Sequence, residues 1–129
     1  MSIELKMLVW SLVLGIVHIL LAATLGTAQR GLQWNASARD GVPQPLTGIA
    51  GRLDRASHNF LETFVFFAAA ILALLLTQKT DAQTALGAQL YFWSRLVYLP
   101  VYAAGIPYLR TVVWAASMAG LVMLIAGIS

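Results

Sequence analysis

The chain has 129 residues, 60% of them hydrophobic and 10% charged, with a formal net charge of +3. Soluble domains carry about 25% charged residues, so this mix predicts an integral membrane protein built almost wholly of its spans. No basic run is present, which excludes the usual nucleic-acid footprint, and the absence of cysteine excludes disulfides, thiolate nucleophiles and cysteine metal sites.

The first apolar run predicts a span over Leu5–Leu25. It is too long for the core of a cleavable signal peptide and lacks a clear cleavage site, so none is expected. His18 falls mid-span and reads as a neutral histidine bonded to a neighbouring helix or lining a cavity. With His58 it is one of two isolated histidines, and no metal site is expected from them. The Gly-, Pro- and Asn-rich stretch Thr27–Gly51 then reads as a loop, long for a helix connection. Arg30 stands where the first helix leaves the membrane, either as an interfacial anchor or as a contact to an anionic ligand.

A second span is predicted over Arg52–Leu76, and Thr80 or Asp81 can cap the next helix. The third runs over Ala82–Ala104 and the fourth over Tyr108–Ile128, after a Gly-Ile-Pro turn. The fold class is therefore all-α: a four-helix membrane bundle in one domain, residues 1–129. Arg30, Arg39, Arg52, Arg55 and Arg110 fall on one side and Lys6 and Lys79 on the other. Positive-inside then places the arginines in the cytoplasm of a multi-pass inner or cell membrane protein, with both termini outside.

Two helical stripes carry chemistry. Arg55, Asn59 and Glu62 lie at i, i+4 and i+7 at the mouth of the second span; Arg95, Tyr98 and Tyr102 share a face of the third. Arg110 opens the fourth span at the same membrane depth. Ionisable groups there are costly unless they face an interior or a wet cavity. The set lacks a Ser–His–Asp order, paired carboxylates or a phosphate-cradling glycine loop. Arginines suit a ligand with several carboxylates, Glu62 an ammonium and Asn59 an amide. A zwitterionic peptide such as glutathione matches, and a fixed arginine charge near its thiol would favour the reactive thiolate. The alternative is an ion-pair network in which Arg55, Arg95 and Glu62 neutralise one another.

The segments RLDRASHNFLETF and YFWSRLVYLPVYAAGIPYLR resemble the MAPEG family, the membrane-associated proteins of eicosanoid and glutathione metabolism. The chain is similar to a bacterial-type member related to microsomal glutathione transferases. The resemblance implies a homotrimer with glutathione, the co-substrate, between neighbouring subunits near the cytoplasmic face. It assigns ligand contacts to Arg55, Asn59, Glu62, Tyr98 and Tyr102, with a further one on Arg30. It makes Arg110 the catalytic residue that stabilises the thiolate, and Arg95 a structural one. Ser57, His58 and Thr63 depart from residues common in the family. The activity implied is transferase or peroxidase, with hydrophobic electrophiles or lipid hydroperoxides as second substrates. A non-catalytic membrane protein that binds lipid or a partner through the inter-subunit groove is the other reading, as the family also includes such a branch.

Overall fold

In a computed structural model that describes residues 1–129, the chain forms four long helices and one short one. They are α1 (Ile3–Arg30), α2 (Leu32–Ala36), α3 (Gly48–Thr77), α4 (Ala82–Ala104) and α5 (Pro107–Ile128). Each boundary has a local cause. Ser2 accepts the Leu5 N–H at 3.2 Å and starts α1. Asp81 starts α4 in a reciprocal capping box with Thr84. Gly105 ends α4 at φ 75°, a left-handed conformation that glycine adopts freely, and Pro107 opens α5 where its missing N–H is not needed.

The loop expected from Thr27 to Gly51 is shorter than its composition suggests. Helix α1 continues through Thr27 to Arg30 and stops only at Gly31, with φ 94°. Helix α3 begins at Gly48, so the irregular backbone is reduced to Gly31 and residues 37–47. Gly and Thr near a helix end lower its propensity without breaking it.

Three helices are long and apolar enough to cross a membrane, α1, α3 and α5. Helix α4 is more polar but has 23 residues, about 34 Å of helix against a hydrocarbon core of about 30 Å. It can carry Arg95 and Ser94 because it is packed against α1, α3 and α5. Helices α3 and α4 form the middle of the bundle, α1 and α5 flank them, and α1 does not touch α5.

At the end where the chain starts, Leu8, Phe67, Ile71, Leu74, Tyr91 and Leu124 form the main core. Phe67 and Tyr91 stack at 4.0 Å, and the Tyr91 hydroxyl shares a hydrogen bond with Thr63 at 3.0 Å. A smaller cluster of Leu14, Phe60 and Phe92 follows, then Ala56, Tyr98 and Tyr102 at the opposite end. Trp10, Val65, Phe66, Val112 and Val122 remain exposed, as side chains facing lipid would be.

Helices α4 and α5 make the closest approach. A Cβ on Gly120 would stand 2.6 Å from the Gly87 carbonyl oxygen, and one on Gly87 would stand 2.9 Å from the Gly120 oxygen. Lipid supplies no hydrophobic drive between helices, so such close backbone packing carries the association. Gly120→Ala must push the helices apart, and we expect a loss of about 1–3 kcal/mol, read as a lower melting temperature in detergent. Lipid-facing Val122→Ala should leave that temperature near the wild-type value; equal effects of the two would contradict the packing.

Candidate functional site

Helices α3, α4 and α5 enclose a hollow of about 490 Å³ at the end of the bundle where α4 turns into α5. It gathers the two sequence stripes onto one volume. Arg55, Asn59 and Glu62 reach it from α3, Tyr98 and Tyr102 from α4, and Arg110 from α5. His58, Thr111 and Trp114 complete the wall. These last three were not singled out as site residues, although their spacing held the signal. His58 is three residues after Arg55, and Trp114 is four after Arg110, so each shares a helix face with a site residue.

Tyr102 is the centre of the arrangement. Its hydroxyl accepts the Arg55 Nε–H at 3.2 Å, and the Arg110 guanidinium carbon lies 4.9 Å from its ring centroid. The Tyr98 ring meets Tyr102 edge-on at 5.4 Å. Because the Tyr102 oxygen accepts from Arg55, its own hydrogen remains free to donate. Arg52, one turn before Arg55, donates its Nε–H to the Ala103 carbonyl at 2.8 Å and ties the start of α3 to the last turn of α4.

Charge in the hollow is not neutralised internally. The one ion pair within 4.0 Å is His58 with Asp54, at 3.8 Å. Glu62 forms no ion pair with Arg55, Arg95 or Arg110, so the pairing of Arg55, Arg95 and Glu62 weighed from the sequence is not formed within the chain. Arg55 and Glu62 are exposed, Arg110 and Asn59 are half-buried, and the Asn59 side-chain oxygen has no donor. The hollow thus offers two guanidiniums, a carboxylate, an amide and phenols to something outside the subunit.

Arg95 does not line the hollow. It is fully buried, its guanidinium nitrogens have no hydrogen-bond partner, and it lies against the Tyr98 ring at 4.2 Å and Phe60 at 5.6 Å. His18 is also fully buried; it stacks on Phe60 at 4.8 Å, and neither ring nitrogen is bonded. The expected bond from His18 to a neighbouring helix is therefore replaced by a ring stack. Arg30 is set apart from the other sequence-predicted contacts. It donates its Nε–H to the Gln44 carbonyl at 2.7 Å and lies 5.5 Å from the Trp34 ring centroid, in a separate hollow beside α1.

A model of the MAPEG family matches residues 7–129. The chain belongs to the MAPEG family. No match is found among curated proteins. The family is membrane-associated and includes glutathione transferases and peroxidases, eicosanoid enzymes and non-catalytic members. The long apolar helices of this MAPEG protein are consistent with an integral membrane location.

The Arg95 packing makes a prediction about stability. A cation–π contact is worth about 0.5–2 kcal/mol, whereas burying an unpaired guanidinium costs several kcal/mol. Arg95→Met fills similar space without the charge, so the melting temperature should hold or rise. A marked fall would reveal a hydrogen-bonding partner for Arg95, such as a buried water.

Proposed function

We propose that this protein is a glutathione-dependent membrane transferase or peroxidase that activates the glutathione thiol in the α3–α4–α5 hollow. The observation that carries the reading is Tyr102 held between Arg55 and Arg110, in a hollow that also presents Asn59 and Glu62. Family membership supports the choice of glutathione over other zwitterionic peptides.

Arg55 pairs with a carboxylate of the peptide, Glu62 takes its ammonium, and Asn59 bonds a peptide group. The thiol then faces Arg110 and the two tyrosines. The guanidinium charge stabilises the thiolate, and the Tyr102 and Tyr98 hydroxyls can donate to the sulfur. In transfer, the thiolate attacks an electrophilic carbon, forms the C–S bond and displaces the leaving group. In peroxide reduction, it attacks the terminal hydroperoxide oxygen and breaks the O–O bond. The resulting alkoxide takes up a proton to give the alcohol. A second glutathione converts the sulfenic acid to the disulfide and water.

The exposure of Arg55 and Glu62 in a lone subunit supports a homotrimer in which a neighbouring subunit closes each hollow. We assign the arginine-rich end to the cytoplasmic side, as the charge distribution indicates. Arg30 stands outside the hollow of its own chain, so in such a trimer its contact would be to glutathione in a neighbouring subunit's hollow.

A wholly apolar groove of about 540 Å³ lies between α1 and α4, walled by Trp10, Val17, Trp93 and Leu96 among others. It suits the tail of a hydrophobic acceptor. It equally favours the second reading, a non-catalytic lipid-binding member, if glutathione does not bind.

Two measurements separate these readings. Glutathione should raise the melting temperature of the purified protein, by about 2.7 kcal/mol of stabilisation at a hundred times its Kd, and Arg55→Ala should lose the shift. No shift at millimolar glutathione would leave the lipid-binding reading. Arg110→Ala should keep the assembly and lower turnover with electrophiles or hydroperoxides by roughly a hundredfold or more, as the loss of a fixed charge stabiliser does. Undiminished turnover would remove Arg110 from the mechanism.

A further inference from the structure

His58 is the one titratable side chain lining the α3–α4–α5 hollow to which the proposed chemistry gives no task. That chemistry leaves two proton movements unassigned: the thiol loses a proton when it becomes a thiolate, and the alkoxide gains one. The other groups on the wall are already committed. Arg55 and Arg110 have no acceptor atom, the Tyr98 and Tyr102 hydroxyls donate to the sulfur, and Glu62 is taken by the ligand ammonium.

The ring is set as a proton acceptor. Its Nδ1 lies 2.8 Å from the Asp54 carbonyl oxygen, one turn back on α3. A carbonyl only accepts, so Nδ1 carries the hydrogen and donates it, and in the neutral ring Nε2 keeps a lone pair. The Asp54 carboxylate lies 3.8 Å from the same Nδ1 and is placed to pair with the ring once Nε2 takes a proton. The height on the helix also fits. Arg55 and Glu62 are seven residues apart, about 10 Å along the axis, and His58 stands between them. A peptide with a carboxylate on Arg55 and its ammonium on Glu62 passes its middle residue across His58. The His58 side chain is 70% exposed, so the ring can exchange its proton with water between turnovers. It also borders the hollow beside α1 that holds Arg30 and Arg39, neither of which can accept a proton.

We infer that His58 is the proton carrier of the site: Nε2 takes the proton of the bound thiol and returns it to the alkoxide, with Asp54 positioning the ring. The inference rests on the glutathione reading above. In the first step the S–H bond breaks, an N–H bond forms at Nε2 and the electron pair stays on sulfur. In peroxide reduction the thiolate then forms an S–O bond as the O–O bond breaks, and the electron pair leaves on the alkoxide. The alkoxide takes the proton from Nε2, which gives the alcohol and the neutral ring. Glutathione is oxidised to the sulfenic acid and the hydroperoxide is reduced, with one proton carried from sulfur to oxygen. When a halide leaves instead, it needs no proton, and the ring passes its proton to water.

The test mixes the purified protein with glutathione at neutral pH and follows thiolate absorbance in time. His58→Gln should reach the wild-type final level about a hundredfold more slowly, the low end of what a positioned acid–base group contributes. Added imidazole should restore most of the rate, and the thermal shift with glutathione should show that the variant's hollow is intact. The variant should also lose more turnover with a hydroperoxide, whose alkoxide needs the proton back, than with an aryl halide. A wild-type rate in His58→Gln would overturn the inference. So would a slow rate that imidazole does not restore, which marks a structural role. A wild type with neither a thermal shift nor thiolate absorbance would overturn the glutathione reading and this inference with it, whereas a normal wild type beside an unaffected variant overturns the inference alone.

Discussion

Tyr102 joins the three helices on which the site depends. It belongs to α4, accepts a hydrogen bond from Arg55 of α3 and lies against Arg110 of α5. One side chain thus contacts a cation from each neighbouring helix at the mouth of the bundle. The contact works only because α4 can approach α5 through Gly87 and Gly120 and is latched to α3 by Arg52. Close helix packing at one end and a polar hub at the other are parts of the same design.

The membrane imposes the remaining constraint. Buried polar groups there must be paired or face a cavity. Most of this chain obeys the rule through short-range bonds, such as Thr63 with Tyr91 and Thr84 with Glu4. Arg55, Glu62 and Arg110 satisfy it by facing the hollow without pairing. Arg30 and Arg39 lie at the loop near the Trp34 indole and bond backbone carbonyls. His18 departs from it, buried with neither ring nitrogen bonded, and so does Arg95. Its charge is covered by aromatic faces and serves to fix Tyr98 from behind.

Much of this was legible in the sequence because helical periodicity decides which residues share a face. The spacing of Arg55, Asn59 and Glu62, and of Tyr98 and Tyr102, placed each stripe on a common side, and the turn at Gly105 returned Arg110 to the same depth. Periodicity cannot show how two faces rotate toward each other. That is why Arg95, in register with Tyr98, reads from the sequence as part of a polar stripe but turns into the bundle toward Phe60. Arg30 was harder still, since its surroundings depend on where an irregular segment folds back. The Gln29–Thr47 bonds, eighteen residues apart, have no local pattern that announces them. The long loop was over-read for a related reason: Thr and Gly lower helix propensity, yet α1 continued through them to Gly31.

The central claim is that Arg110 and the tyrosines stabilise a bound thiolate, and ultraviolet difference absorbance tests it most directly. A free thiol with a pKa of about 8.5 is mostly protonated at neutral pH. Glutathione added to the purified protein at that pH should therefore produce thiolate absorbance that titrates away at lower pH than for free glutathione. Arg110→Gln should move the titration back toward the free value. Bound glutathione that stays a thiol, showing a thermal shift but no thiolate absorbance at neutral pH, would contradict the account.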